Sequence, residues 1–339
     1  MPDDVFHTEA WFAHLLAHGF EHPPHRHGVW QLPTPAPAQG ASAGLHWMQQ
    51  TPHGPWLALG NYYSGLYGPV GKAEALQNLS PAQWQAAAQA LRRLPGSAVL
   101  RLQPLDAGSA WLAALQAGLR GAGFWVDQFF CFGNWYQHVP VGGFGAYWAQ
   151  RPSALRHSVE RGQRRLGKAG DWHITLYTDR HTGAELDDAI AAYESVYAQS
   201  WKAPEPCPGF MPGLVRTAAR QGWLRLGVLR LNGQALAAQL WLVHGGKANI
   251  YKLAYVQGQE KLSAGSVLTA ALMQHTMDVD GVQEVDYLSG DDAYKADWMA
   301  QRRERVGLVA FDPRRPRGWL AAGRHFAGRG VKNWRSPPL

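Results

Sequence analysis

The sequence predicts an α/β (α+β) chain of two domains, each with a mixed, mostly antiparallel sheet flanked by helices. Three observations carry this. At 339 residues, 46% of them hydrophobic, the chain has the length and apolar content for two cores. Asn232-Gly233 and Gly245-Gly246 separate three β-type runs, and both dipeptides supply the positive φ angles of two-residue hairpin turns. Around that antiparallel meander, helical and extended periodicities follow one another along the chain.

In order, Trp11, Leu15 and His18 space out a short helix within residues 1–28. Val29–Leu32 and Leu45–Gln49 read as strands flanking the loop Pro33–Gly44, and Trp56–Tyr63 as a third strand. A helix runs from Pro81 to about Leu94, then come a strand at Ala98–Leu102, a helix at Trp111–Leu119 and a long aromatic strand at Phe124–His138. Ile174–Tyr177 alternates as a strand. Leu186, Ile190, Tyr193 and Tyr197 mark a helix over Ala184–Ser200, with another between Pro212 and Gln221. The meander is Leu224–Leu231, Gln234–His244 and Ala248–Val256. Ser263-Ala264-Gly265-Ser266 opens a helix whose apolar face is Leu268, Ala271, Leu272 and His275, and Gly281 ends it. A strand Val282–Leu288, a polar turn, a short helix Tyr294–Gln301 and a strand Arg305–Phe311 complete the order. The domains expected are 1–140 and 141–312, followed by a basic tail at 313–339.

Composition narrows the function classes. Thirty-eight glycines and 22 prolines fall below the share that marks a disordered chain, and 16 tryptophans need packed surroundings. Cys131 and Cys207 are too few for a disulfide framework and lack metal-ligand spacing. The Met-Pro-Asp-Asp start has no signal-peptide pattern and no apolar run reaches the length of a membrane span, so a cytoplasmic protein is expected. His14 and His18 stand one helical turn apart, but with no Glu between them and no cysteine nearby they read as packing histidines rather than metal ligands. The net charge of +7 is uneven: Gln301–Leu339 carries +8 and the remainder −1. A second basic cluster, Arg151, Arg156, Arg161, Arg164, Arg165 and Lys168, faces only Glu160. Two such patches suit a phosphate-rich partner, a nucleic acid or coenzyme A, or an anionic surface. No zinc-finger or RNA-strand motif accompanies them, so nucleic acid is not the expected partner.

A helix opening at Ser263 or Ala264 exposes unpaired N–H groups and the positive end of its dipole. Gly265 lets a ligand approach, and Ser263 or Ser266 adds a hydroxyl, making Ser263–Ser266 a candidate pyrophosphate cradle. The plainer alternative is that Ser263 caps a structural helix. Past the next strand, mutual repulsion of Asp291 and Asp292 raises one carboxyl pKa toward a useful base, unless Asp292 is simply the N-cap of the helix holding Tyr294.

The order of elements resembles the GNAT acyltransferase superfamily. Tyr251-Lys252-Leu253-Ala254-Tyr255, Ser263-Ala264-Gly265 with Leu268, Asp286-Tyr287-Leu288-Ser289-Gly290-Asp291 and Tyr294-Lys295 with Trp298 resemble its CelD-like, cellulose-biosynthesis-type branch, related to the Fem peptidyltransferases. Upstream, Ser153, Arg156, Arg161 and Arg164-Arg165-Leu166 resemble the basic helix entering that domain, and Asn61-Tyr62-Tyr63-Ser64 with Leu66-Tyr67-Gly68 a motif of the N-terminal half. Of the family's Gln/Arg-x-x-Gly-x-Gly/Ala phosphate signature only Gly265 is kept.

The resemblance implies two GNAT-like domains and transfer of an acyl group, acetyl first among them, from acetyl-CoA or another acyl-CoA to an amine acceptor such as an amino sugar, polyamine or peptide, without a metal. It implies a splayed strand at Tyr251–Val256 with a bulge near Ala254 or Tyr255, leaving a backbone N–H for the thioester carbonyl. Asp291 is then the proton acceptor, Tyr294 the general acid and Lys295 a phosphate or carboxylate partner. Trp201, Tyr251 and Asp292 line the acceptor pocket. Two alternatives stand beside this: a Fem-type transferase drawing an aminoacyl group from tRNA, and a degenerate, non-catalytic anion-binding scaffold.

Overall fold

The computed structural model describes residues 4–32, 43–71, 79–94, 96 and 98–335, with side chains as far as Gly328. Most of the loop expected at Pro33–Gly44 lies outside the described residues.

The chain opens with helix α1 (Glu9–His18). Strands β1 (Arg26–Gln31), β2 (Gly44–Gln49) and β3 (Trp56–Ala58) form an antiparallel meander. Helix α2 (Pro81–Arg93) leads to β4 (Val99–Asp106), which runs parallel to β3, and then come α3 (Ala110–Gly121) and β5 (Trp125–His138). Four helices and a strand follow as α4 (Gly143–Ala149), α5 (Ser153–Ala169), β6 (Trp172–Tyr177), α6 (Gly183–Ala198) and α7 (Phe210–Arg220). The second meander is β7 (Leu224–Leu231), β8 (Gln234–His244) and β9 (Lys247–Tyr255). Helix α8 (Ala264–Asp278) leads to β10 (Glu284–Asp286), parallel to β9, and then to α9 (Lys295–Trp298), β11 (Gln301–Phe311) and α10 (Pro316–Arg335). Meander, helix, parallel strand, helix, strand thus occurs twice.

The chain divides into two compact units, and the division differs from the expected cuts at 140 and 312. The C-terminal unit is Gly133–Arg303 with Ala13–Glu21 and the start of the chain as far as Val5. The N-terminal unit is Phe6–Phe12, His22–Phe132 and everything from Glu304 onward. The reason lies in the two long strands. The half of β5 after Phe132 pairs with β10 inside the C-terminal unit, and β11 from Arg305 pairs with β4 inside the N-terminal unit. Each unit is therefore closed by a strand from the other half of the sequence.

In the C-terminal unit the pairing order is β5-β10-β9-β8-β7-β6. Its core holds Leu229, Trp241 and Ile250 from the sheet with Val267, Leu268 and Leu272 of α8 and Val159 and Leu166 of α5. Burying side chains of this size contributes roughly 1.5–3 kcal/mol each. In the N-terminal unit the order is β1-β2-β3-β4-β11.

Three expectations are corrected. The predicted strand to Tyr63 stops at Ala58, because Asn61 Oδ1 takes the Tyr63 N–H at 3.0 Å and turns the chain. The basic tail is largely helix α10: Ala322 is buried against Val309 and Phe311, and His325 Nε2 meets Asp127 Oδ2 at 2.6 Å. Helix α4 was not foreseen; Gly142 and Gly143 enter it at positive φ, and its Tyr147 is fully buried.

Candidate active site

The site begins where two parallel strands part. β10 matches β9 only over Glu284–Asp286, opposite Lys247–Asn249. β9 then runs on to Tyr255, so from Ile250 it keeps an edge that β10 does not cover. Asp286 enforces the parting. Its Oδ1 accepts from the Leu288 N–H at 2.7 Å and from Asn134 Nδ2 at 2.6 Å, and Leu288 turns at φ 53°. Because the Val256 N–H bonds the Leu236 carbonyl, the antiparallel alternation points Lys252 and Ala254 at β8. Leu253 and Tyr255 therefore present their N–H groups to the open edge.

The bulge expected at Ala254 or Tyr255 lies earlier. Leu240 faces Lys252 while Trp241 faces Ile250, which makes Tyr251 the extra residue. That insertion brings Ile250 and Leu253, three apart in sequence, onto the same sheet face as Trp241 and Gln239. Trp241 donates to Gln239 Oε1 at 3.0 Å, and Gln239 Nε2 reaches the Gly265 carbonyl at 3.0 Å, fixing the first turn of α8 against β8.

That first turn is bare. Ser263 is in the left-handed region at φ 52° and makes no side-chain cap, so the capping alternative does not describe it. The N–H groups of Ala264, Gly265 and Ser266 find no acceptor among the described residues. Ala264 is buried, while Gly265 and Ser266 are partly exposed, and Gly265 lies against the Tyr255 ring, 3.2 Å from where a Cβ would stand. Helix α5 approaches through Gly162, where a Cβ would come within 3.0 Å of the Leu262 carbonyl oxygen and Ser263 Cβ. One turn on, Arg165 Nη1 donates to the Lys261 carbonyl at 2.7 Å. Bare amides, a helix dipole and an adjacent guanidinium form an anion-binding arrangement.

Tyr294 stands beside Tyr287, their rings perpendicular at 5.8 Å. Burial, with Asp292 adding, pushes the Tyr294 phenol up to about 12, so it holds its proton at neutral pH and can donate it. Lys295 is buried and tied down: its Nζ donates to the Ser289 carbonyl at 2.6 Å and lies 3.3 Å from Asp292 Oδ2. It shapes the turn rather than meeting a phosphate. Burial lowers its pKa, against the pull of Asp292.

Repulsion between Asp291 and Asp292 does not raise the Asp291 carboxyl. Arg302 binds both Asp291 oxygens, Nε to Oδ1 at 2.9 Å and Nη2 to Oδ2 at 2.6 Å, and Trp135 Nε1 donates to Oδ1 at 2.9 Å. Arg302 holds the carboxyl below the usual range, which makes Asp291 an anchor and a weak base. Nor is Asp292 a side-chain cap; its backbone carbonyl takes the Lys295 N–H at 3.0 Å. Trp201, half-exposed, packs on Tyr255 with ring centroids 4.5 Å apart, so these two expected site residues do come together.

Residues missed from sequence complete the picture. At the closed end of the wedge, Lys247 Nζ lies 2.7 Å from Asp4 Oδ2 and 2.8 Å from Asp286 Oδ2, and Arg303 Nη2 lies 2.6 Å from Glu284 Oε1. Gln239 was visible as the one polar side chain in an apolar run. Lys202 gave no signal at all: it follows Trp201 and stands close to Lys252, Glu205, Lys295 and Asp292. Burial and the neighbouring Lys252 lower it to about 8. The His14 ring is occupied by the Phe210 carbonyl at 3.1 Å, and no group of three or more His, Cys, Asp or Glu is arranged for a metal among the described residues.

Residues 153–296 match the family profile described as an acetyltransferase (GNAT) domain. The matched stretch lies within the C-terminal unit, which is similar to that family over this region. A search of curated protein sequences gives no match. Among solved structures, FemX is similar with a TM-score of 0.63 at 9% identity, over 91% of this chain and 92% of that one. The C-terminal domain (DUF2156) of a putative lysylphosphatidylglycerol synthetase from Agrobacterium fabrum gives 0.51 at 16% identity, over 80% and 81%. L-PGS from Bacillus licheniformis gives 0.51 at 11% identity, over 95% and 94%. At these identities the likeness is one of fold.

Proposed function

We propose that the C-terminal unit transfers an acyl group, acetyl or longer, from acyl-CoA to a small-molecule amine. The observation that carries this reading is the uncovered edge of β9 beside the uncapped start of α8. The donor supplies an activated carbonyl carbon and an anionic diphosphate. The N–H groups of Ala264–Ser266 suit the diphosphate, and those of Leu253 and Tyr255 suit the carbonyl oxygen as negative charge builds on it. The amine nitrogen forms the new C–N bond as the C–S bond breaks. Tyr294 gives its proton to the departing sulfur, and the amine proton leaves through water near Asp292. The resemblance to the CelD-like branch and action in the cytoplasm, where acyl-CoA is at hand, belong to this reading. Among the described residues no helix is long and apolar enough to cross a membrane.

Calorimetric titration with acetyl-CoA and longer acyl-CoAs tests the proposal. Binding is expected in wild type and in Tyr294→Phe, with kcat in the variant lower by about a hundredfold. Absence of binding by every acyl-CoA overturns it.

The likeness to FemX over nine-tenths of both chains favours a second reading, an aminoacyl group taken from tRNA. Tight tRNA binding that weakens steeply with salt would select it over the first.

A further inference from the structure

We propose that Lys202 is the recognition point for an anionic group, carboxylate or phosphate, carried by the amine acceptor. This rests on the acyl-transfer reading and narrows its substrate class.

Lys202 sits on a pinned loop. Its own N–H donates to Ser200 Oγ at 3.3 Å, Ser200 Oγ donates to the Tyr197 carbonyl at 2.7 Å, and the Gln257 N–H ties Gln199 to the end of β9 at 3.0 Å. The lysine head is partly buried, 5.7 Å from the Trp201 ring centroid and 5.9 Å from that of Tyr197. Trp201 in turn lies on Tyr255, whose N–H faces the open edge, so the ammonium belongs to the mouth of the same wedge.

The charges around it are already matched. Lys252 Nζ is 2.8 Å from Glu205 Oε1, and Lys295 Nζ is 3.3 Å from Asp292 Oδ2. Lys202 is left as surplus positive charge, its ammonium without a hydrogen-bond or ion-pair partner among the described residues. Withdrawing an ammonium from water beside two others is unfavourable unless an anion joins it. The lowered pKa has the same origin. A purely cationic polyamine is the wrong guest for this cluster, whereas an amine that also carries a negative group is the right one.

The test compares matched acceptors: glucosamine 6-phosphate against glucosamine, and alanine against alaninamide. Each is measured by acetyl-CoA-dependent thiol release and, without donor, by calorimetry. The anionic member of at least one pair is expected to be favoured by about tenfold or more, and which pair responds separates phosphate from carboxylate. Lys202→Met should bring that ratio close to one through KM rather than kcat, and Lys202→Arg should restore most of it. Wild type that treats both members of both pairs alike, or a Met variant that keeps the preference, overturns the proposal. If no acceptor is acetylated, acyl transfer is at fault and the calorimetric ratio still decides for or against Lys202. A Met variant that does not fold is replaced by Lys202→Gln, judged by the same ratio.

Discussion

The two units repeat one order of elements and differ at the point where it becomes a site. In the N-terminal unit, β3 is three residues long and pairs with β4 over Trp56 and Leu57, two of those three. In the C-terminal unit, β9 has nine residues and shares only three with β10. The helices that follow differ in the same sense. Ser80 caps α2 through a reciprocal box with Gln83, and Pro81 has no N–H to expose. Helix α8 starts from a left-handed Ser263 with its first amides unmet. One unit closes its strand edge and helix start, and the other leaves both uncovered.

The largest test of this contrast concerns the ions that hold the open copy apart. Asp286→Ala leaves Lys247 and Arg303 short of a buried carboxylate, and urea unfolding should show a loss of about 3 kcal/mol or more. A loss under about 1 kcal/mol would mean the parting of β9 and β10 does not depend on that cluster. Next, Ser266→Glu gives α8 the anion it lacks. Donor affinity should fall by about tenfold or more in a calorimetric titration while stability rises by about 0.3–1 kcal/mol. A parallel loss of both would remove α8 as the diphosphate site. In the closed copy, Ser80→Ala should cost about 1 kcal/mol and leave donor affinity unchanged.

The remaining effect is on pH dependence. With its pKa lowered to about 8 by burial and Lys252, Lys202 loses its proton earlier in the folded protein than in the unfolded chain. Between about pH 8 and the ordinary lysine range the unfolded chain binds more protons, so stability should rise with pH there, and Lys202→Met should flatten that rise. Over the same window affinity for an anionic acceptor should decline. Glu205 and Asp292 temper the effect, and Lys252 and Lys295 reinforce it. A flat profile in wild type would argue that the ammonium is better solvated than its surroundings imply.

Much of the fold was legible because turn chemistry is local. Asn232-Gly233 and Gly245-Gly246 marked the second meander, and β7 and β8 match the predicted Leu224–Leu231 and Gln234–His244 at both ends. The start of α8 was legible for the same reason. The bulge was not: it depends on how β8 and β9 register, and nothing in Tyr251–Tyr255 distinguishes one position from another. The roles of Asp291 and Lys202 were hidden too, because Arg302 and Lys252 act on them through the fold rather than along the chain. Local grammar reveals turns and caps, while charge partners across the sheet need coordinates.

The exchanged strands carry a practical consequence for anyone dissecting the gene. A cut in the linker after His138 would give an amino-terminal fragment whose β4 has lost β11, and a carboxy-terminal fragment whose β10 has lost β5. Each piece would display a raw sheet margin, a known invitation to aggregate. Soluble product is therefore expected only when both fragments are made together, and the proposed activity should not be sought in the isolated C-terminal half.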